Sequence, residues 1–228
     1  MPTDTTESGY FYGHPLAPVT QVASLTFRIF KRGIDLATSL LFLPIILGVC
    51  LIALVLNPFL NRGKLFFSQK RVGKDNKIFS IYKLRTMQNQ GSGNKFATEE
   101  NARITPLGKF MRDIHIDELP QMINVLLGDM SLIGPRPEQP EFFEEYAQSI
   151  PGFSTRQSVR PGISGLAQLR WGYTDSDVGA RKKLRWDIEY IKRQGFKIET
   201  KIYLGTIAYI FPRIGSRLLR LVISARNS

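Results

Sequence analysis

Apolar residues in this chain gather into one unbroken run and several short periodic ones. Residues 36–60, LATSLLFLPIILGVCLIALVLNPFL, hold no charged side chain. A helix of about 20 apolar residues matches a hydrocarbon core of roughly 30 Å, so this segment meets a membrane. It is a poor signal peptide, because polar sequence precedes it and a signal's apolar stretch is only about 7 to 15 residues long. Pro44 sits inside the run, where it removes a rung of the helical hydrogen-bond ladder. Basic residues flank the run on both sides: Arg28, Lys31 and Arg32 before it, and Arg62, Lys64, Lys70, Arg71 and Lys74 after it. Positive flanks favour the cytoplasmic side, and a straight span cannot keep both there. A helix that enters, bends at Pro44 and leaves by the same face satisfies both flanks. A kinked single pass is the other reading of the same residues.

Shorter patterns surround this segment. Residues 1–20 mix Pro, Gly, Thr and Tyr without period and read as a poorly ordered leader. Residues 21–33, QVASLTFRIFKRG, read as an interfacial helix feeding the membrane segment. KLFFSQKRV and KIFSIYKLRTM are aromatic and β-branched runs around GKDN, a hairpin pattern. Residues 88–101 form a polar loop. TPLGKFMRDI predicts a helix capped by Thr105 with Pro106 in its first turn. Residues 142–148 and 181–194 also read as helices. The tail from residue 201 onward is apolar with arginines at 213, 217 and 220, and is interrupted at Pro212. It fits a surface helix on anionic lipid or an ordinary packed helix with a basic side. The whole predicts an α+β, mainly helical chain: leader 1–20, membrane segment 21–60, catalytic domain 61–200 and membrane-associated tail 201–228.

Charge sharpens this picture. The chain of 228 residues carries 31 Lys and Arg against 19 Asp and Glu, a formal net charge of +12. Charges balance up to residue 61, so the excess lies beyond the membrane segment. Acidic partners follow, whether nucleic acid, phosphorylated small molecules or anionic lipid. Cys50 is the only cysteine, which excludes an intramolecular disulfide and a cysteine-rich metal site.

The densest chemistry lies in HIDELPQMINVLLGDMSLIGPRPE. Leu119, Met122, Ile123, Leu126 and Leu127 recur at helical spacing, so a helix starts at or near Asp117-Glu118 and is closed by Gly128. Pro120 fits only in its first turn. Both carboxylates then sit where the helix dipole favours negative charge, and both are expected ionised. Adjacent helical residues point about 100° apart, so the pair divides labour rather than sharing a proton. One carboxylate can attack an electrophile while the other holds a metal ion or handles a proton. A capping Asp followed by a first-turn Glu is the ordinary explanation of such a pair; its company changes the reading.

Arg136 stands between two prolines in GPRP, a pre-set arginine suited to gripping a planar anion in two-pronged fashion. Arg112 lies five residues before Asp117, and Arg160 opens RPGISGLAQ, where glycines allow close backbone approach. Together they suggest a phosphate cradle. Lys83 and Arg85 in YKLRTM occupy alternate strand positions and hence one face. A Gly-Lys-Ser/Thr phosphate loop, a Rossmann glycine pattern, a Gly-x-Ser-x-Gly elbow and a zinc-ligand set are all missing from the sequence. Of its two histidines, His14 and His115, the second precedes the dyad and reads as structural.

At these residues the chain resembles the bacterial sugar transferase family, the monotopic polyprenol-phosphate phosphoglycosyl transferases. The resemblance covers residues 30–211 and rests on KRGIDL, FFSQKRVGKDNKIFSIYKLRTM, RDIHIDELPQMINVLLGDMSLIGPRPE, VRPGISGLAQ and KLRWDIEYIK. It implies a small cytoplasmic catalytic domain with a Pro-broken re-entrant membrane helix and interfacial amphipathic helices, on the cytoplasmic face of a bacterial inner membrane. It also implies that Asp117 attacks the sugar-bearing phosphate of a UDP-sugar, expels UMP and passes the phosphosugar to undecaprenyl phosphate. Glu118 would take part with Mg²⁺ and the acid–base step, and Arg112, Arg136 and Arg160 match the family's arginines. Larger members carry further transmembrane helices and an extra domain, so this sequence reads as a minimal catalytic form. Leu43 stands before Pro44 where some members have serine.

The chemistry of the residues agrees with this. A diphosphate repels an attacking anion until a metal ion and fixed arginines neutralise it. An aspartate, with a reference pKa of about 3.9, needs no base to be nucleophilic at neutral pH. The competing readings are a membrane-anchored basic module that gathers polyanions and a scaffold that has lost activity. Membrane lipid and the lipid acceptor are expected partners and nucleic acid is not. The sugar, the glycan pathway and the formation of a homo-oligomer are left open; residues 88–101 and 171–178 are candidate sugar-pocket segments.

Overall fold

The computed structural model describes residues 23–61, 63–87, 104–171 and 177–226. The leader and the 88–101 loop lie outside them, as do most of the second candidate sugar segment and the side chains of Arg213, Arg217 and Arg220.

Helix α1, Leu25–Leu60, is 36 residues long and runs unbroken through Pro44 and Pro58. Ser24 caps it, its hydroxyl accepting from the Phe27 N–H at 3.2 Å. The interfacial and membrane segments expected separately are thus one helix, because its first turn has a cap and nothing between Phe27 and Leu36 breaks the ladder. Its buried residues include Phe27, Asp35, Ser39, Ile46, Ala53 and Asn57, which recur at four-, seven- and eight-residue spacing. Leu40, Leu41, Leu47, Ile52 and Val55 are exposed. A helix that buries Asp, Ser and Asn while exposing leucines is inverted relative to a water-facing one, as expected where hydrocarbon replaces water. It is long and apolar enough to cross a membrane.

Strands β1 (Phe66–Val72) and β2 (Ile78–Leu84) form the expected antiparallel hairpin, Phe66 facing Leu84 and Val72 facing Ile78. Its turn includes Asp75 and Asn76 in left-handed conformations, which short polar side chains tolerate. Helix α2 spans Pro106–Asp113, and the Thr105 hydroxyl accepts from Gly108 N–H at 3.0 Å. Helix α3 (Gln121–Leu127) follows, then β3 (Ser131–Ile133), α4 (Pro140–Ser149), β4 (Gly162–Ser164), α5 (Leu166–Trp171), α6 (Asp177–Lys192) and α7 (Phe196–Arg226). Helix α7 continues through Pro212 rather than stopping there.

Sequence pattern missed the short parallel pair β3–β4. The close backbone approach expected of the glycines in RPGISGLAQ is the approach of one strand to the other. A Cβ on Gly162 would lie 2.1 Å from the Gly134 nitrogen, and one on Gly134 would lie 2.4 Å from the Arg160 carbonyl oxygen. The core forms where β2, α3, β3, α6 and α7 meet, around Phe79, Val125, Met130, Ile133, Tyr190 and Ile202. A second cluster joins β1 to α4 and α6 through Val72, Phe143, Phe153 and Leu184. A third packs Ala53 of α1 on Leu84 and Met111. Lys31 near the other end of α1 donates to the Ile133 carbonyl, so both ends of the helix bear on the same packed strands and helices.

Candidate active site

The helix expected at or near the dyad begins just beyond it, at Gln121. Helix α2 ends at Asp113, and His115, left-handed at φ 58°, turns the chain into a single 3₁₀ turn, Ile116–Glu118. Pro120 then occupies the N-cap position of α3, and Gly128 at φ 91° ends it. Asp117 and Glu118 precede the α-helix by a turn, and Glu118 is held by side chains.

Glu118 is the hub. Its Oε1 accepts from Lys83 Nζ at 2.9 Å and from Arg136 Nη2 at 2.5 Å, while Oε2 accepts from Arg136 Nη1 at 3.2 Å. Burial pushes its carboxyl up, but the charges and hydrogen bonds of Arg136 and Lys83 outweigh that and hold it well below the usual carboxylate range. Asp117 differs. It is 6% exposed, and its Oδ1 has no hydrogen-bond partner among the described residues. Burial raises its pKa, the charge of Glu118 adds to the rise, and Lys83, Arg112 and His115 pull part of it back. The side chains thus divide a strongly acidic, clamped glutamate from an unpaired aspartate of raised basicity. That division of labour is set by side-chain contacts.

Arg112, at the C-terminal end of α2, donates from Nε to the Thr86 hydroxyl at 2.8 Å and is close enough to lower the Asp117 pKa. Arg136 is carried by a braced segment. Buried Arg156 donates to the Arg136 carbonyl at 2.8 Å, to Glu138 Oε1 at 3.3 Å and to Asp187 Oδ2 at 2.7 Å. Arg71 donates to the Pro137 carbonyl at 3.2 Å, and Val72 N–H to the Glu138 carbonyl at 3.0 Å. Sequence reading overlooked Arg156 and Glu138; Arg156 lies in FSTRQS, which carries no period or turn signal. Asp187 sits within KLRWDIEYIK, where only helical spacing was legible.

Two expected cradle residues lie elsewhere. Lys83 and Arg85 do not share a working face, because β2 ends at Leu84. The Arg85 guanidinium is spent on the carbonyls of Asn61, Lys64 and Met87, with Asn61 Nδ2 returning a bond to the Arg85 carbonyl at 2.6 Å. It ties the end of α1 to the hairpin. Arg160 is exposed and donates from Nε to the Gly128 carbonyl at 2.8 Å, at the far end of α3 from the dyad.

Among the described residues no cluster of three or more Asp, Glu, His or Cys could hold a metal ion. The dyad still suits a hard cation of the Mg²⁺ kind, which takes one or two carboxylates and completes its shell with phosphate oxygens and water. Glu118 Oε2 receives one hydrogen bond, so a coordinating lone pair is left on it.

Comparison with known proteins adds the following. The family model described as bacterial sugar transferase matches residues 26–213. A UDP-N-acetylgalactosamine-undecaprenyl-phosphate N-acetylgalactosaminephosphotransferase of Aeromonas hydrophila is 40% identical over 84% of this chain and 46% of its own length. Two proteins named UDP-glucose:undecaprenyl-phosphate glucose-1-phosphate transferase also match. That of Escherichia coli is 37% identical over 86% of this chain and 43% of its own length. That of Caulobacter vibrioides is 34% identical over 87% of this chain and 80% of its own. The chain thus spans less than half of the first two and most of the third.

Proposed function

The chain belongs to the bacterial sugar transferase family, and on that premise we propose that it moves a sugar 1-phosphate from a UDP-sugar to undecaprenyl phosphate. One observation carries this reading: a buried aspartate with an unpartnered oxygen lies beside a glutamate that organises a lysine and an arginine.

An Asp117 carboxylate oxygen attacks the sugar-bearing phosphorus. The bond from that phosphorus to the bridging oxygen breaks, and UMP leaves with the electron pair. An oxygen of the lipid phosphate then attacks the same phosphorus, and the Asp117 carboxylate is released unchanged. Both attacking groups are anions, so neither step needs a base to remove a proton. Lys83, Arg136 and Arg112 supply positive charge where a diphosphate must be neutralised, and their bracing makes that field pre-organised. Mg²⁺ held by Glu118 would add Lewis-acid neutralisation of the donor. Burial of Asp117 removes solvating water from the nucleophile and raises its basicity.

The same reading places the reaction at the cytoplasmic face of the inner membrane, as a first membrane step of polysaccharide synthesis. Contacts at both ends of α1 with one domain support a re-entrant rather than a spanning helix, since the polar domain stays on one side of the bilayer. A polyanion-binding module fits less well, because Lys83 and Arg136 both engage Glu118. The test is nucleoside monophosphate release by the full chain in detergent with polyprenol phosphate and a panel of UDP-sugars, alongside intact-mass spectra taken without acceptor. UMP release with a mass gain of one phosphosugar supports the reading. No UMP with any donor refutes it.

A further inference from the structure

The basic residues ahead of the membrane segment read from sequence as a positive flank that favours the cytoplasmic side. Only Arg28 of the three is exposed. Lys31 Nζ donates to the Ile133 carbonyl at 3.0 Å and pairs with Glu199 Oε2 at 2.8 Å. Asp35, 2% exposed, accepts from the Leu132 N–H at 3.0 Å through Oδ1. Arg32 donates to the carbonyls of Val125 and Leu126 at 2.6 and 3.1 Å. One turn of α1 thus grips strand β3 and the end of α3, the two segments that carry Arg136 and follow the dyad.

The grip on β3 lies three residues from Arg136, and little between them can absorb a shift. Gly134 is jammed against Gly162 and Arg160. Pro135 fixes its own φ and restricts its neighbour. Arg156, Arg71 and Val72 hold the carbonyls of Arg136, Pro137 and Glu138 in turn. A displacement of the Ile133 carbonyl therefore moves Arg136 against Glu118 rather than dissipating in a loop. Tyr190 strengthens the clamp by donating to Glu199 Oε1 at 2.6 Å, with its hydroxyl 3.2 Å from the Ile133 carbonyl.

We propose that Lys31 and Asp35 of the membrane helix are positioning residues for Arg136, acting through strand β3, so that the seating of α1 sets the geometry of the phosphate site. This rests on the reading of Arg136 as part of that site. The bond is short-range and directional, unlike headgroup attraction, which any cation on the flank could supply.

The test compares Lys31→Gln with Arg28→Gln, which removes the same charge from the exposed side of the same flank, in the full chain. Lys31→Gln should lower kcat by about 10-fold or more while leaving the donor KM within about threefold and membrane co-sedimentation unchanged. Arg28→Gln should leave kcat near wild type, and Lys31→Arg should recover most of the loss. In an Arg136→Lys background the further loss from Lys31→Gln should shrink to less than about threefold, since residues acting through one group are not additive. Should Lys31→Gln not fold, Glu199→Gln, which removes the charge that orients Lys31, enters the same cycle. Equal fold-losses in both backgrounds, or equal losses from Arg28→Gln and Lys31→Gln, would overturn the proposal. Full turnover by Arg136→Lys alone would instead overturn the active-site reading on which it rests.

Discussion

Arg156, 3% exposed, donates a hydrogen bond to the main-chain carbonyl of Arg136 at 2.8 Å. One arginine thus fixes the backbone of another whose side chain faces Glu118. The supporting guanidinium is kept charged by Asp187 and Glu138, whose attraction outweighs the effect of its burial.

Removing one partner of such a buried pair leaves a charge without compensation, at a cost of about 3–5 kcal/mol. Asp187→Ala should therefore lower the melting temperature strongly, and Asp187→Asn, which keeps an oxygen for Arg156, should lower it less. Thermal unfolding in detergent measures both; equal melting temperatures for wild type and Asp187→Ala would contradict the pairing.

Asp117→Asn separates catalysis from stability. The amide cannot form an acyl phosphate, so UMP release and the phosphosugar mass gain should both vanish. Burial raises the pKa of the native carboxyl, so its ionised form strains the fold. Replacing it by a neutral group of the same size should leave the melting temperature unchanged or higher. A variant that both loses activity and melts early would point to a structural role.

Glu118 predicts the opposite dependence. Its folded pKa lies well below the ordinary 4.5, so its ion pairs stabilise fully above that value and are lost as pH falls towards the folded pKa. The stability gap between wild type and Glu118→Gln should hold steady above about pH 5.5 and narrow below about pH 4. Melting curves over that range read it directly, and a gap independent of pH would argue against the clamp by Lys83 and Arg136.

Two glycine substitutions should act with opposite sign. A methyl on Gly162 would meet the Gly134 backbone at 2.1 Å, whereas one on Gly33 would meet nothing within 4 Å. Gly162→Ala should cost about 1–3 kcal/mol as overpacking and disturb the Arg136 loop. Gly33→Ala, in a helix interior, should stabilise by about 0.5–1 kcal/mol. Chemical denaturation distinguishes them.

Local chemistry was readable without the fold. The hairpin around GKDN, the Thr105 cap, the turn at Gly128 and the apolar run of α1 depend on neighbouring residues, and alternation, capping and proline placement report on neighbours. The Asp117-Glu118 pair and Arg136 could be singled out for the same reason: their local setting of turns and prolines is visible in one dimension. What the tertiary structure decided is how distant charges pair. Lys31 meets Glu199, Lys83 meets Glu118, and Arg156 meets Asp187, each across tens of residues or more. No periodicity encodes such a meeting, because it depends on where whole elements pack. For that reason Arg85 and Arg160, cradle residues by spacing, hold carbonyls, and Lys31, one of a positive flank in the sequence, holds a strand. Sequence named the charges, but packing assigned their partners, since an ion pair is a statement about distance in space.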